Sequence, residues 1–408
     1  MFTFTFLFLP ASVTFHLKRH QRLLLISAVL LILVVLFAKC MDFSRPAPAT
    51  EKSFAGAASC RPCHASIADS YLQNPHHQTS GKVENDHIIN GPGARDAVYA
   101  FDQHTKVVVE KRSGGMYQVL YLDGRQQAAR RFDLIIGSGE KAHTYGSWQS
   151  KELKQLPLSY FSGVRSWANS PGFPATKVYM DRPIGIRCLE CHSSFAEINA
   201  VPDGGLKVRD EIKQSSLIYG IDCERCHGPA GRHVEFHLEH PEAKKAKFIV
   251  LYQALTRQQK TDACAVCHSG TDTEVQQSAF RFKPGDDLRN YHFTAPGTIS
   301  RQEPDVHGNQ ARLLAESKCY IRSAQLECSS CHRIHESPRG NLTAYSRRCI
   351  SCHATIRHST ATLANATVQT NCIDCHMPKQ PSNLISFQLA GQAKTSQYLL
   401  RTHRIAIY

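Results

Sequence analysis

Apolar positions are laid out in three different ways along this 408-residue chain. Near the N-terminus, Leu23 to Ala38 is an apolar run broken only by Ser27 and preceded by Lys18, Arg19, His20 and Arg22. As a helix it spans about 24 Å, short of a bilayer core of about 30 Å yet long for the apolar part of a cleaved export signal. A cleaved signal and a retained signal-anchor both fit. Lys39-Cys40-Met41-Asp42 offers no small-residue cleavage site, and Lys39 suits lipidation of Cys40 poorly, so the anchor is favoured. Further on, Lys106–Arg112 and Met116–Leu122 alternate apolar and polar residues around a Ser113-Gly114-Gly115 turn, and Asp123-Gly124 follows. That period of two predicts an antiparallel meander. From Cys188 onward, cysteine and histidine motifs crowd together and leave little room for a conventional apolar core. The expected organisation is a membrane segment over 1–40, a Pro- and Ala-containing linker over 41–57, a β-rich region over 58–187 and a motif-dense domain over 188–408.

Sixteen cysteines and twenty-two histidines change this picture. Fourteen of the cysteines fall into seven copies of C-x-x-C-H: Cys60/Cys63/His64, Cys188/Cys191/His192, Cys223/Cys226/His227, Cys264/Cys267/His268, Cys328/Cys331/His332, Cys349/Cys352/His353 and Cys372/Cys375/His376. Two thiols three positions apart on a helical turn can each form a thioether to a porphyrin vinyl group. The following histidine then coordinates iron as the proximal ligand. Zinc half-sites, thioredoxin-type pairs and iron–sulfur sets also use C-x-x-C, but none requires histidine at the next position. At this histidine content, seven of seven by chance has odds on the order of 10⁻⁹. The sequence therefore predicts seven c-type haems, held through these cysteines with His64, His192, His227, His268, His332, His353 and His376 on iron. With so many attached porphyrins, the expected fold is mainly α with much irregular structure, packed around haem. A small antiparallel β subdomain is expected between the first and second haem.

A formal net charge of +14 would ordinarily suggest nucleic acid or an anionic membrane. Seven haems carry roughly fourteen negative propionate charges, so the basic excess is expected to be internal compensation, and no nucleic-acid partner is expected. Thioether attachment occurs outside the bacterial cytoplasm, which places residues 50–408 on the periplasmic side of the membrane.

Each iron needs a sixth ligand or lacks one. Beyond the apolar segment and linker only Met116, Met180 and Met377 remain, so methionine cannot be the general ligand, whereas histidines are plentiful enough for bis-histidine sites throughout. His335 lies one helical turn after His332 and cannot reach the opposite face of the same haem, so it is expected to ligate a neighbour. His77, His233, His307 and His403 are further candidates, with His76 beside His77. Cys319 belongs to no pair. A free buried thiol serving as a small apolar residue is its expected role, against the alternative of a thiolate near an iron, as ligand or as anchor for a sulfur substrate.

The segments Gly220-Ile-Asp-Cys-Glu-Arg-Cys-His-Gly-Pro-Ala-Gly-Arg-His233 and Asn371-Cys-Ile-Asp-Cys-His-Met-Pro378 resemble those of cytochrome c-552/c-554-type multihaem proteins. So does the first motif with Tyr71 and His76-His77 after it. Ile135–Gly139, Gln155–Tyr160, Ser170–Phe173 and Ser317–Tyr320 are similar to uncharacterised exported relatives of that group. The resemblance runs over roughly residues 58–406. It implies a mostly helical, haem-packed fold with close haem pairs and largely bis-histidine iron. Two functions follow as expectations. One is electron transfer between redox partners such as a quinol-oxidising module or other cytochromes, and it is favoured. The other is an oxidoreductase acting on a small nitrogen or sulfur oxyanion at one five-coordinate haem. Absence of a C-x-x-C-K variant weighs against the second.

Overall fold

The computed structural model describes residues 27–30, 54–83, 97–270, 273–293, 309–336, 340–355, 358–359, 366–392 and 394–408. Most of the apolar segment 23–38 lies outside them, apart from residues 27–30, which are helical and exposed; His307 also lies outside. No helix among the described residues is long and apolar enough to cross a membrane. The chain divides into a unit of Met1–Lys52 and a second of Ser53–Tyr408, and the second holds all seven C-x-x-C-H motifs.

Strands carry more of the second unit than the motif density suggested. A short strand β1 (Ser80–Lys82) is followed by β2 (Val98–Ala100), β3 (Thr105–Arg112), β4 (Gly115–Leu122) and β5 (Arg125–Arg131), the last four forming an antiparallel sheet in chain order. The β3/β4 register pairs Val107 with Leu120 and Lys111 with Met116. Asp123 and Gly124 both adopt positive φ, 47° and 75°, as a tight turn between right-twisted strands requires. Next come β6 (Leu134–Ile136), β7 (Ala142–Gln149), β8 (Glu152–Gln155), β9 (Leu158–Phe161), β10 (Ser166–Asn169) and β11 (Arg182–Pro183). With β1 they make a seven-stranded sheet ordered β1-β6-β7-β8-β11, onto which β9 and β10 pair beside β7. Apolar residues of the two sheets, among them Tyr99, Val107, Val109, Phe132, Tyr145, Leu156, Leu158 and Trp167, form one buried cluster. Buried Gln118 ties the sheets together: its Nε2 donates to the Leu158 carbonyl and its Oε1 accepts from Leu158 N–H, each at 2.8 Å.

Three two-stranded pieces follow: β12 (Ser193–Phe195) with β15 (Ile218–Tyr219), β13 (Ile198–Pro202) with β14 (Val208–Ile212), and β16 (Glu274–Val275) with β17 (His292–Phe293). A final hairpin joins β18 (Lys379–Phe387) to β19 (Ser396–Arg401). Phe387 of this hairpin stacks on Phe161 at 4.2 Å between ring centres, returning the end of the chain to the sheet region.

Helices are short. They are α1 (Ala65–Tyr71), α2 (Ile186–His192), α3 (Cys223–His227), α4 (Gly231–Glu239), α5 (Arg257–His268), α6 (Gln310–Ala315), α7 (Lys318–Arg322), α8 (Leu342–Ile350) and α9 (Ile373–His376). The longest among the described residues, α5, has 12 residues and opens with a capping box between Thr256 and Gln259. The expectation of a mainly α fold is therefore overturned: strands and helices share the second unit, with many small sheets. The reason is physical. A C-x-x-C-H site needs a single helical turn, so seven of them demand little helix. The alternating stretches before residue 188 meanwhile build their own side-chain core. Past residue 220 the buried apolar clusters shrink to small groups such as Val266, Ala279, Phe282 and Tyr291.

Candidate functional site

In every motif the two cysteines and the histidine share one helical turn. His64, His332, His353 and His376 each donate their backbone N–H to the carbonyl of the first cysteine of their own motif, at 2.9 to 3.0 Å. The other three motifs lie within or at the ends of α2, α3 and α5. An i to i+4 turn of this kind brings both thiols to one side and swings the imidazole beneath them, as thioether attachment with proximal ligation needs.

The turns are set by buried polar anchors. Asp222 caps α3 by accepting from Arg225 N–H at 3.1 Å. Glu224, buried inside the third motif, accepts from Ala55 N–H at 2.9 Å, Gly56 N–H at 2.8 Å and Ala230 N–H at 2.8 Å. It thus pins the approach to the first motif against the third. Glu190, buried inside the second motif, accepts from Ser278 Oγ at 2.7 Å, Ala279 N–H at 2.8 Å and Arg187 at 2.8 Å. Tyr71 of α1 donates to the Ile221 carbonyl at 2.9 Å, and Ile221 N–H donates to the His76 carbonyl at 2.9 Å. Gly220 sits where these segments cross. Its φ is +66°, and a Cβ there would collide with the His77 carbonyl.

Four imidazole rings of the motifs each have a second imidazole beside them. His227 and His335 lie 6.0 Å apart between ring centres and only 7° from parallel. His332 stacks against His403 at 6.2 Å, whereas His76 meets His268 edge-on at 6.0 Å and 87°, and His358 is tilted by 55° to His376 at 6.1 Å. Two imidazoles bonded to opposite faces of one iron, through metal–nitrogen bonds of about 2 Å, stand about 6 Å apart between ring centres. Four proximal histidines therefore have a second imidazole at the separation that an intervening iron requires, and the residues present fit bound haem.

Hydrogen bonds orient several of these rings. His376 Nδ1 contacts the Ala406 carbonyl at 2.8 Å, His76 Nδ1 the Asn74 side-chain oxygen at 3.1 Å, and His192 Nδ1 the Thr79 hydroxyl at 2.7 Å. A ring fixed through Nδ1 keeps Nε2 for a metal. Burial holds His227, His268 and His403 below the usual imidazole range, His403 down to about 4, favouring the neutral form that ligation needs. Thiol surroundings at several motifs agree with a cleft. Burial pushes Cys60 and Cys349 up to about 12, and Cys226, although exposed, up to about 11. Cys188 is exposed as well, and desolvation raises its thiol in the same way.

Five motif cysteines, Cys63, Cys188, Cys226, Cys352 and Cys375, are exposed, as are His64 and His353. Attachment requires a thiol that a vinyl group can reach.

The other candidates are placed as follows. His77 lies edge-on to Tyr71 at 6.0 Å, and the ring opposite His268 belongs to its neighbour His76. His233, on α4, binds the Lys247 carbonyl through Nδ1 at 2.8 Å and, like His64, lies close enough to His227 to act on it electrostatically. His335 also meets Tyr71 edge-on at 6.2 Å. Cys319 is half-buried on α7, and its thiol acts on those of Cys331 and Cys349. Three histidines stand out only in the structure. His358 faces His376. His237 Nε2 is buried without a hydrogen-bond partner, 4.7 Å from His233 between ring centres, and His292 Nδ1 is likewise buried and unpartnered. Nothing in their spacing from a C-x-x-C-H motif marks them, because a distal ligand is chosen by the fold and not by the motif.

Comparison with known proteins agrees with this chemistry. Residues 169–228 match the family model described as cytochrome c554 and c-prime. Over 180 residues the chain is 28% identical to the multiheme cytochrome MtrA of Shewanella baltica (strain OS185), an alignment covering 41% of this chain and 52% of that one. The chain thus spans about half the length of this relative. The solved structure of the outer cell wall cytochrome OcwA shares the fold, with a TM-score of 0.52 at 14% identity, covering 83% of this chain and 79% of that one. The C-x-x-C-H turns, the paired imidazoles and these likenesses lead to one conclusion: the chain is a multihaem c-type cytochrome.

Proposed function

We propose that this cytochrome carries seven covalently attached haems and relays electrons between redox partner proteins on the periplasmic side of a membrane. In this reading the segment Leu23–Ala38 anchors the chain, and residues 58–187 and 188–408 form its exported part. The observation that carries the reading is the set of four facing imidazole pairs. They support His335 with His227, His76 with His268, His403 with His332 and His358 with His376 as the residues that would hold iron. Bound haem would supply reversible one-electron iron chemistry. The chain's own residues would do the rest: cysteine pairs would tether it, paired histidines would bind its iron, and Nδ1 hydrogen bonds hold the rings and raise their basicity. Two imidazoles per iron favour low potentials and leave no position for a substrate, which supports a carrier over an oxyanion-reducing enzyme.

The test uses protein matured in a host that attaches c-type haem. Pyridine haemochrome analysis is expected to give seven haems per chain, and the reduced protein is expected to bind carbon monoxide at none of the four paired sites. Four or fewer covalent haems, or carbon monoxide bound in more than three equivalents, would refute the reading. Fractionation with membranes, together with protease access from the periplasm, is the expected result for the anchored location.

A further inference from the structure

The chain leaves helix α1, just after the first motif, through Asn74, Pro75 and His76. Pro75 has no N–H to offer. The Asn74 side-chain oxygen takes the next one, accepting from His76 N–H at 2.9 Å, so that the side chain closes a turn on its own backbone. The same oxygen meets His76 Nδ1 at 3.1 Å. A carbonyl oxygen only accepts, so Nδ1 carries the ring proton and Nε2 keeps its lone pair for a metal.

The other end of this amide reaches a distant segment. Asn74 Nδ2 donates to the carbonyls of Ile334 and Glu336, each at 3.0 Å, on either side of His335. One turn earlier, Ser70 Oγ donates to the His335 carbonyl itself at 3.1 Å. Three consecutive carbonyls, 334 to 336, are therefore held by side chains that follow the first motif. The partners also fix which way the amide points. A backbone N–H requires its oxygen on one side, and two carbonyls require its nitrogen on the other. Asn74 is only 4% exposed, so water would not replace these bonds if the amide were removed.

We propose that Asn74 is a positioning residue shared by two irons: its oxygen orients His76 for the fourth site, and its nitrogen orients His335 for the third. The inference rests on the proposed ligand pairs and deepens them, because one buried side chain then tunes two haems that different motifs attach. Its two ends act differently. A stronger acceptor on His76 Nδ1–H makes the imidazole more basic, which favours the ferric state and lowers the potential. The nitrogen fixes the backbone that carries His335, and with it the near-parallel placement of that ring beside His227.

The experiment is a redox titration of the haem-loaded full chain, followed by low-temperature electron paramagnetic resonance, which resolves individual low-spin haems. His76→Ala and His335→Ala identify the fourth and third signals by their loss. Asn74→Ala is expected to shift those two signals, to leave the other haems in place and to raise the fourth midpoint. Asn74→Asp keeps the size of the side chain and its oxygen toward His76, but removes both donors to the carbonyls. It is expected to lower the fourth midpoint below that of the native chain, since a carboxylate is the stronger acceptor, while the third signal still shifts. A residue that merely stabilises the fold would lower Tm without this reversal of sign between the two variants. That result, a shift confined to one of the two signals, or a disturbance of every haem overturns the proposal. If Asn74→Ala does not accumulate, Asn74→Asp decides alone, by a lowered fourth midpoint together with a shifted third signal. Should His76→Ala or His335→Ala leave every low-spin signal intact, the ligand pairs beneath the proposal fail. With both signals lost as assigned, a failure at Asn74 removes this inference alone.

Discussion

At the scale of single residues, the molecule divides its work between a few buried anchors and the imidazoles that they aim. His335 is the sharpest case, because its ring is nearly parallel to that of His227. His335→Ala is expected to leave total haem unchanged, since attachment depends on the C-x-x-C-H residues. It should convert one haem to a high-spin form that binds carbon monoxide, with a raised potential. An unchanged paramagnetic resonance spectrum would demote His335 to a histidine that merely borders a haem. Glu224 has a different role, accepting two backbone N–H groups from the distant Ala55–Gly56 segment and one from nearby Ala230. Glu224→Ala leaves those donors buried and unmet, and is expected to lower stability by about 3 kcal/mol in a thermal or denaturant titration. Gly220→Ala adds a methyl group against the His77 carbonyl at a backbone angle that alanine resists. It is expected to destabilise by more than about 1 kcal/mol. It should also disturb the haem opposite His76, seen as a shifted low-spin signal.

Among the elements, two kinds of interior stand beside each other. The sheets over residues 97–169 enclose tyrosine, valine, leucine and tryptophan in the ordinary way. Leu156, fully buried there, is expected to cost about 2–5 kcal/mol when changed to alanine, with the haem spectrum intact; a spectral change in that variant would show that the sheets support the haem sites directly. This contrast also explains what the sequence made legible. The β3/β4 hairpin could be read from Lys106–Arg112 and Met116–Leu122 because alternation is a local property that a half-buried strand imposes on its own residues. The attachment motifs were equally open to reading, because the tether chemistry fixes their spacing. Strands such as β12, β15, β16 and β17 have two or three residues each, too few to show a period, and the balance of helix and strand was misjudged accordingly. Distal partners are harder still. His76 and His77 are adjacent in the chain, and only the crossing at Gly220 decides which ring faces His268.

For the whole molecule, the proposed ligand pairs join parts of the chain that lie far apart in sequence. His76, just after the first motif, reaches the fourth; His335, beyond the fifth, returns to the third; His403, after the last hairpin, reaches the fifth. Each such bond closes a long loop, whose entropic cost grows only slowly with length. The same crossings set a timetable for biogenesis. A chain delivered N-terminus first can receive its porphyrins one motif after another, yet the third and fifth irons must wait for ligands that arrive much later. During that interval those irons are open, so a nascent cytochrome is expected to take up carbon monoxide or cyanide that the finished one refuses. Arresting synthesis after residue 333, past the fifth motif and short of His335, and probing the product with carbon monoxide would reveal the window. A fully closed spectrum from the arrested chain would mean that temporary ligands guard the irons until their permanent ones emerge.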